Sequence, residues 1–214
     1  MTDAAARATT DRRLELLATV LLALAAVATA WASYQSSRWH GKQAEAQSAS
    51  IAARVESSKA ADVANRQVQI DVATFTQWVD AYAKSETELA DFYRRRFREE
   101  FVPAFEAWVA TRPRRNPQAP LTPFVMPQYE LAAEKEATRL ESVATAASNE
   151  VRVDIQRADN YVLAVVLFAS SLFFAGISTK LTNHRIRGVV VGVGCAIFLV
   201  AAIWIATFPV SLSV

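Results

Sequence analysis

Apolar positions along this chain fall into two regimes. Three stretches, 16–37, 161–179 and 188–208, carry no charged residue and are apolar at most positions. Between the first two, apolar residues recur at steps of three and four. A helix needs about 20 apolar residues to cross a hydrocarbon core of about 30 Å, and each stretch is long enough. Backbone amides in lipid must be satisfied internally, so each stretch predicts a helix.

The intervening segment predicts long helices in water. It holds neither Gly nor Pro from Lys42 to Val102, which leaves helix unbroken. Val68, Val72, Phe75, Val79 and Tyr82, rejoined by Leu89, make a heptad-like stripe. Ala46, Ala49, Ala53, Ala60 and Val63 make an earlier stripe of small residues, which buries little area and needs a neighbour. A third series, Ala133, Ala137, Leu140, Ala144, Ala147, Val151, Ala158 and Val162, enters the second apolar stretch with no breaker. Helix and span there read as one rod, and the roughly 32 residues before the span would reach about 48 Å. Gly41 predicts a kink. Ser85 with Glu88 fits a capping box that starts a helix reaching about Trp108, kinked at Pro103. Five prolines in RPRRNPQAPLTPFVMP predict an extended loop.

The expected fold is all-α: three transmembrane helices, with a long antiparallel, coiled-coil-like helical region between spans one and two. The segments are a tail at 1–13, span one at 14–37, extramembrane helices at 38–111, the Pro-rich loop at 112–127 and a helix at 128–160. Span two at 161–179, a basic loop at 180–187, span three at 188–208 and a tail at 209–214 complete the map. Ala30-Trp31-Ala32 resembles a signal cleavage site, but the apolar run is long for a leader and reads as an anchor.

Charge decides the expected sidedness. The formal net charge is only +2, and 36–159 balances both signs, which argues against a nucleic-acid partner. Short-loop basic residues are Arg7, Arg12 and Arg13 before span one, and Lys180, Arg185 and Arg187 between spans two and three. Both sets belong on the cytoplasmic side, leaving 38–160 outside. Trp31, Tyr34, Trp39, Tyr161 and Trp204 fall near the expected outer interface, where amphipathic rings anchor. Eighteen of 23 basic residues are Arg, and alanine is abundant, as in bacterial chains from GC-rich genomes; the expected location is a bacterial inner membrane.

Candidate chemistry is sparse. FYRRRFREEF places Arg94, Arg95, Arg96 and Arg98 together, an anion or lipid-headgroup contact. The competing reading is a helix with Phe92, Phe97, Phe101 and Phe105 inward and ion pairs Asp91–Arg95, Arg95–Glu99 and Arg96–Glu100. The Pro-rich loop reads as a linker or as a docking strand. Gly188, Gly192 and Ala196 give small-xxx-small spacing suited to span packing, within the chain or between chains. His40 and His184 have no ligand set at metal spacing, Cys195 is the single cysteine, and no phosphate loop, dinucleotide fingerprint or nucleophile elbow occurs. No span carries an ionisable group near its centre, which disfavours a pump or ion-coupled carrier.

The first span ends in WASYQSSRW, a charged, alanine-rich helix follows, and two further spans close the chain around a short basic turn. In this it resembles a family of bacterial membrane proteins grouped as a domain of unknown function. That family has one N-terminal span, a Trp-x-x-Tyr-Gln sequence and a closing two-span hairpin. Trp31, Tyr34 and Gln35 carry the likeness, and Arg38 stands in for a lysine expected soon after the glutamine. The resemblance implies the architecture and no activity. The expected function is therefore a non-enzymatic structural or interaction protein without cofactor or metal. Its partners would be the lipid bilayer and either a second copy of itself or another membrane protein. The alternatives are an extracytoplasmic sensor that transmits through a partner, and an oligomeric channel.

Overall fold

The computed structural model describes residues 2–211. The fold is all-α, with no strand among the described residues. Helix α1 runs Thr2–Ala83, α2 Thr87–Arg94, α3 Val102–Ala110, α4 Ala132–Ser178 and α5 His184–Ile205, with one 3-10 turn at Pro123–Val125. Three of these, α1, α4 and α5, are long and apolar enough to cross a membrane. The chain divides into two compact units, residues 1–47 with 148–214, and residues 48–147.

In the first unit, Ala32, Trp39, Ala158, Tyr161, Ala164, Phe168 and Ala201 form a buried cluster. Small residues let α1, α4 and α5 approach, and a few polar groups bond across them. Ser171 Oγ donates to the Gly194 carbonyl at 2.9 Å, and Tyr161 Oη to that of Pro209 at 3.1 Å. Gln35 is fully buried and brackets Ser211, accepting from its backbone N–H at 3.0 Å and donating to its carbonyl at 3.4 Å. Gln35 thus has a structural task. Large apolar side chains are left outside, among them Val27 (70% exposed), Phe173 (61%) and Ile203 (69%).

Close helix packing within the chain falls on Gly194, not on the glycines its spacing singled out. A Cβ on Gly194 would lie 3.2 Å from Leu21 Cδ2 and 3.3 Å from Phe174 Cβ, whereas one on Gly192 would meet nothing within 4 Å. Gly192 and Ala196 are exposed. Gly194→Leu is expected to lower stability by about 1–3 kcal/mol through overpacking, while Gly192→Leu leaves the purified chain's melting temperature unchanged. Thermal unfolding in detergent, followed by circular dichroism, separates the two.

Two aromatic anchors are also reassigned. Trp31 and Tyr34 are exposed and Trp204 is half-buried, but Trp39 and Tyr161 are buried in the cluster and turn away from any surrounding lipid. Alanines at 32 and 158 leave space that these two rings fill.

In the second unit, α1 and α4 run antiparallel. Ser50 Oγ donates to the Ala144 carbonyl at 3.0 Å and Ser57 Oγ to that of Ala137 at 2.9 Å, seven residues forward on one helix matching seven back on the other. The α4 series holds: Ala137 and Ala144 are buried here, and Val151 and Ala158 in the first unit, where Val162 is exposed. On α1 the stripe is rotated. Ala53 and Phe75 of the expected stripes are buried, but Val72, Val79 and Tyr82 are exposed, and the other buried positions are Ser50, Ser57, Ala64, Asp71 and Ala81. Helix α1 also continues through Gly41, where a kink was expected.

Candidate binding cleft

The turn after α1 begins the site. Ser85 does not cap α2; its φ is 62°, and no side-chain cap bond forms there. It closes α1 instead: Glu86 N–H donates to Ala81 O at 3.0 Å and Ser85 N–H to Tyr82 O at 3.2 Å. That pair of bonds is the Schellman ending, which favours glycine at the left-handed position. Ser85→Gly relieves a left-handed strain of about 1–2 kcal/mol and adds about 0.5–1 kcal/mol of backbone freedom to the unfolded chain. A small net gain in the midpoint of chemical denaturation is expected.

The helix expected from Ser85 to Trp108 is two helices. It breaks over 95–101, and Pro103 sits in the first turn of α3, where its missing N–H has no bond to lose. The break scatters the arginine cluster. Arg94 reaches Glu106 of α3 at 3.4 Å, Arg96 lies 3.5 Å from the centre of the Phe92 ring, and Arg98 turns inward. Ion pairs Asp91–Arg95, Arg95–Glu99 and Arg96–Glu100 do not form among the described residues, because the backbone is not helical where they needed it. The four guanidiniums therefore do not make one anion site.

Aromatic residues fill the interior. Phe75, Phe97, Phe101, Phe105 and Trp108 are buried together, and Trp78, Phe124, Met126 and Tyr129 pack on them. Phe92, expected inside, is exposed. The Pro-rich loop is neither linker nor free strand: Trp108 Nε1 donates to Pro120 O at 2.7 Å, Pro123 is buried, and Phe124 stacks on Phe101 at 5.2 Å.

Beside the aromatics lies a buried charge network that the sequence pattern did not reveal. Asp71, fully buried on α1, accepts through Oδ2 from Arg98 Nη1 at 2.8 Å and from Tyr129 Oη at 3.0 Å. Arg98 also pairs with Glu100, whose other oxygen accepts from the Ala132 N–H at 3.0 Å, at the start of α4. Burial raises the Asp71 carboxyl above its ordinary value, against the opposing pull of Tyr129 and Arg98. Burial and the bond to Asp71 also push the Tyr129 phenol upward, so it stays a donor. Asp71 Oδ1 is buried without a partner.

A cleft of about 710 Å³ opens between the end of α1, α2, α3 and the loop after it. Trp78 and Tyr82 form one wall, their rings 12° apart at 5.0 Å, and Phe105 meets Trp78 edge-on at 4.8 Å. Asp91, Arg94, Glu106 and Arg114 supply charge at its lining, with Ser85 and Thr87. Arg114 lies 5.4 Å from the centre of the Tyr82 ring. Among the described residues no group of three His, Cys, Asp or Glu side chains is placed to hold a metal ion. Comparison of the chain with protein-family profiles, curated proteins and solved structures found no match.

Proposed function

We propose that this chain is a multi-pass protein of a bacterial plasma membrane whose 48–147 unit is a non-enzymatic binding head outside the cytoplasm. The observation that carries the reading is a contrast. The stretches 16–37, 161–179 and 188–208 expose large apolar side chains with no charged residue among them, while the 48–147 unit holds a packed aromatic interior, a charge network and an open cleft. Surfaces so apolar ask for lipid. A cleft lined by aromatics and a few charges has the make-up of a ligand pocket. Among the described residues neither the Ser85 nor the Thr87 hydroxyl is hydrogen-bonded to a carboxylate or histidine that would activate it, so the cleft favours binding over catalysis.

The test uses the single cysteine. In a Cys195→Ala background, cysteine placed at Arg115 should react in intact cells with a membrane-impermeant maleimide, and cysteine at Asn183 should react only after lysis. Reaction of the second but not the first in intact cells would reverse the sidedness, and release of the chain by alkaline carbonate would remove the membrane reading.

A second reading is self-association through α5. The exposed Gly192 and Ala196 face away from the chain's own packing, and small residues of this spacing suit a partner helix. Crosslinking in membranes through cysteine at Gly192 should trap a dimer if this holds, and a monomer excludes it.

A further inference from the structure

The cleft's charges are arranged in a way that specifies a ligand, on the premise that the 48–147 unit is a binding head. Two positive and two negative side chains line one opening. Only one ion pair joins them among the described residues, Arg94 with Glu106 across the cleft at 3.4 Å. Both of its side chains are more than half exposed, at 55% and 58%. A pair so exposed holds its partners weakly, so a ligand displaces it readily. Arg114 leans on Tyr82 and Asp91 faces the cleft, and neither makes an ion pair among the described residues. The wall beside them is aromatic: Trp78 and Tyr82 stack, and Phe105 meets Trp78 edge-on.

A purely anionic ligand would meet Asp91 and Glu106, and a purely cationic one would meet Arg94 and Arg114. A molecule bearing both signs offers a partner to each kind of charge. It would set its carboxylate on the guanidiniums, which grip carboxylates through paired N–H groups. Its ammonium would take Glu106 or Asp91, and an apolar or flat body would cover the rings. We propose that the cleft binds an amino-acid zwitterion with an aromatic side chain, either free or as a short peptide whose two ends carry the charges. The volume lies within the range of about 300–1,000 Å³ found for small-molecule sites, which leaves room for either.

Titration calorimetry on the full chain in detergent tests this with five probes: L-phenylalanine, the dipeptide Phe-Phe, phenethylamine, 3-phenylpropionate and L-serine. L-phenylalanine or Phe-Phe should bind, and whichever binds more tightly identifies the source. The two single-charge analogues should bind at least about 10-fold more weakly, one lost charge contact being worth about 1.4 kcal/mol, and serine should not bind. Arg94→Gln and Glu106→Gln should each weaken the preferred probe by about the same factor, and Arg95→Gln, outside the cleft, should leave it unchanged. Unaltered helix content by circular dichroism confirms that each variant is folded. Equal or tighter binding of a single-charge analogue overturns the zwitterion while leaving a binding head. Failure of every probe at millimolar concentration also overturns the zwitterion. If, in addition, in-cell crosslinking gives Arg94→Gln and Glu106→Gln the same partner profile as the parent chain, the head reading falls with it.

Discussion

Phe101→Ala is expected to destabilise the 48–147 unit more than any other single truncation, by about 3–5 kcal/mol. The ring is fully buried and sits at the centre of the aromatic cluster. It lies 5.0 Å from Phe97, 5.2 Å from Phe124, 5.9 Å from Tyr129, 6.1 Å from Phe105 and 6.2 Å from Phe75. Its removal opens a cavity against α1, α3 and the Pro-rich loop at once, and rigid rings on every side limit collapse into it. Phe92→Ala, at an exposed ring in the same stretch, should change stability by less than about 0.5 kcal/mol. Near-ultraviolet circular dichroism during urea unfolding reads the packed aromatics directly. Similar midpoints for the two variants would remove Phe101 from its central place.

Asp71→Ala carries the second largest expected loss, about 2–4 kcal/mol, because two part-buried donors lose one buried acceptor. The lower part of that range allows for Arg98, which is 22% exposed and keeps Glu100. Asp71→Asn retains an oxygen for Arg98 and Tyr129 and should lose less than about 1.5 kcal/mol, the size of an ordinary hydrogen bond. The two also differ in pH dependence. Since folding raises the Asp71 value, the folded chain binds a proton more readily than the unfolded one. Stability from this group is then greatest in acid and declines as pH rises from 3.8, the ordinary carboxylate value, through the raised folded value. The stability of the parent chain minus that of Asp71→Asn should fall across this window and level off above it. A difference rising with pH would mean that Arg98 outweighs burial.

The apolar code was easy to read where composition alone carries it. Runs such as 16–37 announce membrane-length helices whatever their neighbours are, and α4 was legible because alanines and valines occupy its inner positions every seventh residue. On α1 the same periodicity was present but disguised. Its inner row is Ser50, Ser57, Ala64 and Asp71, three of them polar groups that a hydrophobicity pattern assigns to water. Their acceptors and donors lie at least 27 residues away in sequence, at Ala137, Ala144, Arg98 and Tyr129. The visible valines therefore pulled the predicted stripe onto the outer face. A heptad count from Ser50 through Ser57, Ala64 and Asp71 was the signal that could have found it. The site was less legible still. Trp78 and Tyr82 stand a turn apart on α1, but their cleft exists only because α2 ends at Arg94 and the chain turns back through α3. No local residue preference marks that break, since RRFREE favours helix by propensity.

The bracket formed by Gln35 and Ser211 bears on how the chain is made. The two residues are 176 positions apart, and ribosomes add about 5–20 residues per second. The carboxamide therefore emerges roughly 10–35 s before its partner is synthesised. Until then the Gln35 carboxamide lacks the partner that satisfies it in the folded chain, and a buried amide without a partner is costly. The bracket therefore closes late, only after the residues beyond α5 have been made.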